Sequence, residues 1–123
     1  MLTCEDVIQR TDAYKPNKVD VNMKMAWLYD IEQRIQTEIV DTHENSDELK
    51  NEIDHNDADT TKSLIADGRD AMYMWWLCSQ IDLQNGDLDR YNMDSALFNE
   101  EYAAFRNAYN REHMPLAGPK MRY

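Results

Sequence analysis

Glycine and proline are scarce: three of each in 123 residues, too few for a loop-rich or β-rich fold. Only two cysteines are present, Cys4 and Cys78, and neither sits in a CxxC pair, so no disulfide framework or cysteine metal site is built in. Positive charge is short as well. Thirteen basic side chains face 24 acidic ones, a formal charge of -11. A surface of that sign repels phosphate backbones and anionic headgroups, which excludes nucleic-acid or membrane binding through a general basic face. The longest stretch without a charge or amide, Ala71 to Ser79, is far short of a membrane span. The start, Met1 to Asp6, is acidic and has neither the basic nor the apolar region of an export signal. The chain reads as soluble, in a reduced, intracellular setting.

Leu, Ile, Val and Phe together make up less than a fifth of the chain, which with this charge would point to disorder. Eight Met, three Trp and seven Tyr raise the hydrophobic share to 42%, enough for one small core. The length fits a single domain, residues 1–123. Helical signals dominate. Thr3 and Asp6 form a capping pattern for a helix over about 4–13, ended by Lys15-Pro16-Asn17. Asp20 is placed to cap a helix over about 20–40, with the stripe Met23, Trp27, Ile31, Ile35 and Ile39 widened by Leu28, and with Glu32, Gln33, Arg34 and Gln36 on the wet side. Asp70 is placed to cap a third helix to about 85, ended by Gly86. Asp87 restarts the chain as a helix over about 87–111, whose seam is Leu88, Tyr91, Ser95, Phe98, Tyr102, Phe105 and Tyr109. The expected fold is all-α: a small bundle of about four helices.

Between the second and third helices, residues 41–69 are expected to form a mobile, largely irregular acidic excursion, with a short strand near 63–66 as an option. Its apolar residues are few: Leu49, Ile53, Leu64 and Ile65. An irregular tail over 114–123 follows the last helix.

Candidate chemistry is thin. Glu52-Ile53-Asp54-His55 matches one Glu-x-x-His unit, whereas a di-iron bundle needs two such units plus further glutamates. His43-Glu44 lacks the second histidine of a zinc-protease motif, and Asp54-x-Asn56 lacks the glycine and final glutamate of a calcium loop. His113 suits a helix C-terminus better than a catalytic base. Cys78, inside an apolar helix, reads as packing, and the cluster Arg90, Arg106 and Arg111 reads as surface pairing with Asp87 or Asp94. No catalytic residue, metal or cofactor is assigned, and an enzyme is not expected. The conspicuous stretch is Ala71 to Cys78, whose apolar residues cover every direction around a helix because each step turns about 100°. It fits either a central helix wrapped by its neighbours or a helix with one flank in a subunit interface, where Trp, Tyr and Met are enriched.

Gln80 to Gly86, Arg90-Tyr91-Asn92, Leu97-Phe98-Asn99, Tyr102 to Phe105 and Tyr109 to Leu116 resemble a family of small prophage-encoded proteins of Gram-positive gut bacteria. Lys15-Pro16-Asn17, Trp27-Leu28 and Thr42-His43-Glu44 fit the same pattern, so the likeness spans most of the chain. That family is similar to the head–tail connector (adaptor) proteins of tailed phages. The resemblance implies a helical virion protein that joins a ring at the portal and extends the DNA channel, located in the bacterial cytoplasm during assembly and then at the virion neck. Its partners would be further copies of itself and the portal and tail or head-closure proteins, with no sequence-specific nucleic-acid or membrane contact. The segment Ala66-Asp67-Gly68 departs from the family, where a proline is frequent. On this reading the interface residues are Met72, Trp75, Trp76, Met114, Leu116, Lys120, Met121, Arg122 and Tyr123. A different class of reading is a small acidic binding module, a DNA-mimic-like regulator or inhibitor of a basic partner, with Asp54, Asp57 and Asp59 as its phosphate-like row.

Overall fold

The computed structural model describes residues 1–42, 50–54 and 59–112. Four α-helices are present among the described residues: α1 (Cys4–Tyr14), α2 (Val21–Glu38), α3 (Asp70–Asn85) and α4 (Leu88–Glu112), with a 3-10 turn at Val40–Thr42. The fold is an all-α bundle.

Local chemistry sets the ends of these helices. The Thr3 hydroxyl accepts the Asp6 N–H (3.3 Å) while the Asp6 carboxylate accepts the Thr3 N–H (3.1 Å), a reciprocal cap on α1. Pro16 bars continuation beyond Lys15. Asp20 starts α2 with its backbone carbonyl, which accepts from Met23 and Lys24, and makes no side-chain cap bond. Arg69 rather than Asp70 occupies the cap position of α3, and the Asp70 carboxylate instead accepts from Arg10 of α1 at 2.6 Å. Gly86 ends α3 at φ 76°, a left-handed conformation that a side chain would strain. Asp87 then caps α4 through its carboxylate, which accepts the Arg90 N–H at 3.2 Å.

Packing differs from the sequence pattern at instructive places. The buried side of α2 runs through Met25, Leu28, Ile31, Glu32 and Ile35, so Met23 is exposed and Trp27 half-buried. Glu32, expected on the wet side, is fully enclosed. In α4, Leu88 is exposed and Tyr91 and Ser95 are half-buried; Asp94, Phe98, Tyr102, Phe105 and Tyr109 form the inner face.

The acidic segment is not uniformly an excursion. Ile53, Leu64, Ile65 and Ala66 are buried in the core cluster. Thr3 and Ser63 form an isolated antiparallel bridge: Leu64 N–H donates to the Leu2 carbonyl (2.9 Å) and Cys4 N–H to the Lys62 carbonyl (3.0 Å). Residues 59–69 are irregular, as expected, yet they pack against the core. A few apolar residues suffice there because backbone bonds to the start of α1 fix the chain's path. The option of a strand near 63–66 reduces to that single bridge.

Candidate functional site

The apolar helix α3 is the natural place to start. Met72, Tyr73, Met74, Leu77 and Cys78 are buried by the chain itself, while Ala71, Trp75 and Trp76 are half-buried. Met72 is fully enclosed and offers no surface, so its assignment to an interface is corrected. Neighbouring elements cover more of the helix perimeter than its apolar count alone suggests. Trp76 is also committed internally. Its indole N–H donates to the Trp27 carbonyl at 2.8 Å and its ring packs on Phe98, 5.2 Å between centroids. Trp75 meets Tyr14 edge to face at 5.4 Å, and this pair reaches solvent through the exposed Tyr14 ring. Met114, Leu116, Lys120, Met121, Arg122 and Tyr123 lie outside the described residues.

A second grouping was not read from the sequence. The corner between α1 and α2 lies against the end of the α3–α4 hairpin. Lys15 to Val19 line a cavity of about 420 Å³ with Ile81, Gln84 and Asn85. Tyr14, Lys15 and Pro16 line an adjoining cleft of about 500 Å³ with Asp82, Asp87 and Arg90. Excepting Met1, every exposed large apolar side chain among the described residues belongs to these same two segments: Tyr14, Val21, Met23, Leu83, Leu88 and Met93. Leu88 and Met93 are the most open, at 60% and 63% exposure. The corner is held rigidly. The Asp12 carboxylate accepts from Lys24 (2.6 Å) and from Asn17 (3.0 Å), and Asn17 also donates to the Lys15 carbonyl (2.8 Å).

Beneath this end sits an ionic cluster. Lys15 Nζ donates to Asp82 Oδ1 at 2.5 Å and to Asp94 Oδ2 at 3.2 Å. Asp94 was expected to pair with an arginine of its own helix. Lys15 takes it instead, and Arg90 stays near Asp87 at 3.9 Å. Burial, and then a hydrogen bond with Asp82, push the Asp94 carboxyl up to about 6. Burial pushes the nearby Cys78 thiol up to about 12, so it stays protonated and is no nucleophile.

The third grouping is Glu32 with Tyr73. Glu32 accepts from the Tyr73 hydroxyl (2.5 Å) and from the Ile65 N–H (2.7 Å), and the Tyr73 oxygen accepts the Ala66 N–H (3.0 Å). Burial drives Glu32 up to about 7, against the lowering effect of those bonds. The group ties α2 and α3 to residues 65–66 and is shut off from solvent, so it serves the fold. On the α2–α4 face, the Arg34 guanidinium lies over Tyr102 at 4.6 Å and Phe98 at 5.8 Å, and the Tyr102 hydroxyl donates to Glu38 at 2.8 Å.

Among the described residues no three His, Cys, Asp or Glu side chains converge as metal ligands, and no helix is long and apolar enough to cross a membrane. His43, His55 and His113 lie outside those residues. Asp59 of the acidic row accepts from Thr61 N–H (3.0 Å) and its hydroxyl (2.5 Å) within its own turn, and Asp57 lies outside the described residues. No family model, curated protein or solved structure matches the chain.

Proposed function

We propose that this chain is a structural assembly subunit, in the sense its resemblance implies: a head–tail connector that joins a ring at the portal and extends the DNA channel. The observation supporting an assembly role is that, Met1 apart, the exposed large apolar side chains among the described residues all fall in residues 14–23 and 83–93, the two segments that meet at one end of the bundle. Scattered apolar side chains are ordinary on a surface, but a concentration at one rigid end marks a contact region. A ring subunit contacts two neighbours, and its heterologous interface closes only if the joining patches are rigid in relation to each other. The bonded corner at Asp12, Asn17 and Lys24 provides that rigidity. Residues 14–23 and 83–93 balance Asp20, Asp87 and Asp89 against Lys15, Lys18 and Arg90, so the acidic excess lies in the rest of the chain, which suits a channel along which DNA slides without sticking. The docking role of Met114, Leu116, Lys120, Met121, Arg122 and Tyr123 is part of the same proposal.

The test is the double variant Leu88→Asp/Met93→Asp, followed by sedimentation velocity and by joining to portal rings. Both side chains are exposed, so the melting temperature should stay within a few degrees of wild type while ring joining is lost. A variant that joins portal rings as wild type does would overturn the placement of the contact. Neighbouring genes for portal, capsid and tail proteins would support the connector role independently; their absence would count against it.

A further inference from the structure

One ammonium faces two carboxylates where the end of α1 meets the α3–α4 hairpin. The side chains of Lys15, Asp82 and Asp94 are 14%, 4% and 6% exposed. With all three ionised the cluster holds an excess negative charge away from water. It also leaves Asp82 Oδ2, a buried carboxylate oxygen, without any hydrogen-bond donor. Both features are costly: a buried acceptor without a donor loses its hydration uncompensated, and unmatched buried charge loses more.

The surrounding groups do not supply the missing positive charge. From α1 come Lys15, already shared between the two acids, and Tyr14, whose ring is turned to Trp75. From α3 comes Cys78, held neutral by burial. From the α3–α4 turn and the first turns of α4 come Asp87 and Arg90 at the rim of the cleft, with Arg90 largely in solvent and nearest to Asp87.

We propose that Asp82 and Asp94 share a proton, carried on Asp94 and donated to the open oxygen of Asp82, which makes the packing of the α1–α2 corner on the α3–α4 hairpin pH-dependent. The proton completes the hydrogen bonding of Asp82 and brings the cluster to neutrality. Two carboxyl groups drawn to one ammonium, at 2.5 and 3.2 Å from the same nitrogen, stand close enough that they do not both ionise freely. The rise of Asp94 from 3.8 to about 6 agrees with this geometry. Each unit is a factor of ten, so the folded chain holds the proton about a hundredfold more tightly than the unfolded chain does. Because the folded value is raised, the contribution to stability is complete below about pH 4 and is lost as the pH climbs through 6. The inference does not depend on the assembly role.

Carboxyl carbon NMR of the full-length chain reads each acid separately. The expected result is a step near pH 6 at Asp94, moving higher in Lys15→Gln, where the lysine's opposing influence is gone. Asp94→Asn offers an amide N–H to the same Asp82 oxygen and no proton to lose. Melting curves of this variant and wild type should therefore converge near pH 4 to 5, with the variant several degrees higher at pH 7.5. Glu32 is common to both, so the difference isolates Asp94. An Asp94 that titrates wholly below pH 4.5, or a variant whose melting temperature follows wild type in parallel from pH 5 to 7.5, overturns the shared proton.

Discussion

Two regions of this bundle bury carboxyl groups, and they do so by opposite means. In the middle, Glu32 forms no ion pair among the described residues and is held by the Tyr73 hydroxyl and the Ile65 N–H. At one end, Asp82 and Asp94 share Lys15, an ion pair with one acid too many. The first arrangement fixes a backbone path, because its donors come from residues 65 and 73, distant in the chain from 32. The second fixes the meeting of two helical units. Both raise the affinity of a carboxyl for its proton, chiefly through burial. The contrast teaches that burial sets the proton affinity of these acids, while the identity of their partners sets what each acid holds in place.

Removing the central acid should have the largest effect. Glu32→Ala strands the Ile65 N–H and the Tyr73 hydroxyl and opens a cavity, costing about 3 kcal/mol in urea unfolding near neutral pH. The cost should appear with loss of amide exchange protection at Ile65 and Ala66. If stability falls by less than about 1 kcal/mol, the contrast breaks, because the central acid would then hold nothing that water cannot replace.

The next effect is a pH slope. Glu32 stands at about 7 in the folded chain against 4.5 ordinarily, so the folded form retains a proton that the unfolded chain has already released. Stability from this group is full below about pH 4.5 and is lost as the pH rises through 7. Between pH 5 and 8 the loss should approach about 2 kcal/mol, given about 1.4 kcal/mol per unit. Urea midpoints across that range in wild type and Glu32→Gln separate this slope from that of Asp94, which ends about one unit lower. A slope unchanged by Glu32→Gln would assign the titration elsewhere.

How much of this was legible follows the range of the interactions. The ends of the helices rest on neighbours in sequence: Thr3 with Asp6, Lys15 before Pro16, and Gly86 with its positive φ. Those were readable, and the helices lie within a residue or two of their expected bounds. The burial of Glu32 was not, since its spacing puts it beside Ile31 on an edge of the stripe, and its partners are 33 and 41 residues away. Nor was the role of Leu64 to Ala66, whose surroundings are polar in sequence and whose anchor is the backbone of Leu2 to Cys4. Lys15 was readable as part of a helix stop, but its reach to Asp82 and Asp94 depends on the packing of three helices. The apolar end was hidden for the same reason: Met23 and Leu88 fit the inward stripes of their helices, and their exposure shows only once the corner and the hairpin are brought together.

The smallest expected effect tests whether short distance alone makes an ionic contact strong. Arg10 and Asp70 join α1 to the start of α3 at 2.6 Å, nearly as close as Lys15 and Asp82. Their side chains are about half exposed, 46% and 44%, whereas those of Lys15 and Asp82 are 14% and 4%. Water and salt screen the exposed pair, and holding two long side chains together costs entropy that offsets most of the attraction. Arg10→Ala should therefore lower stability by less than about 1 kcal/mol, and in 1 M salt, where the screening length is about 3 Å, the difference from wild type should nearly vanish. Urea titrations at low and high salt decide it. A loss of about 2 kcal/mol that persists in salt would mean that Asp70, at the first turn of α3, behaves as a buried anchor, and the division between exposed and enclosed acids in this bundle would have to be redrawn.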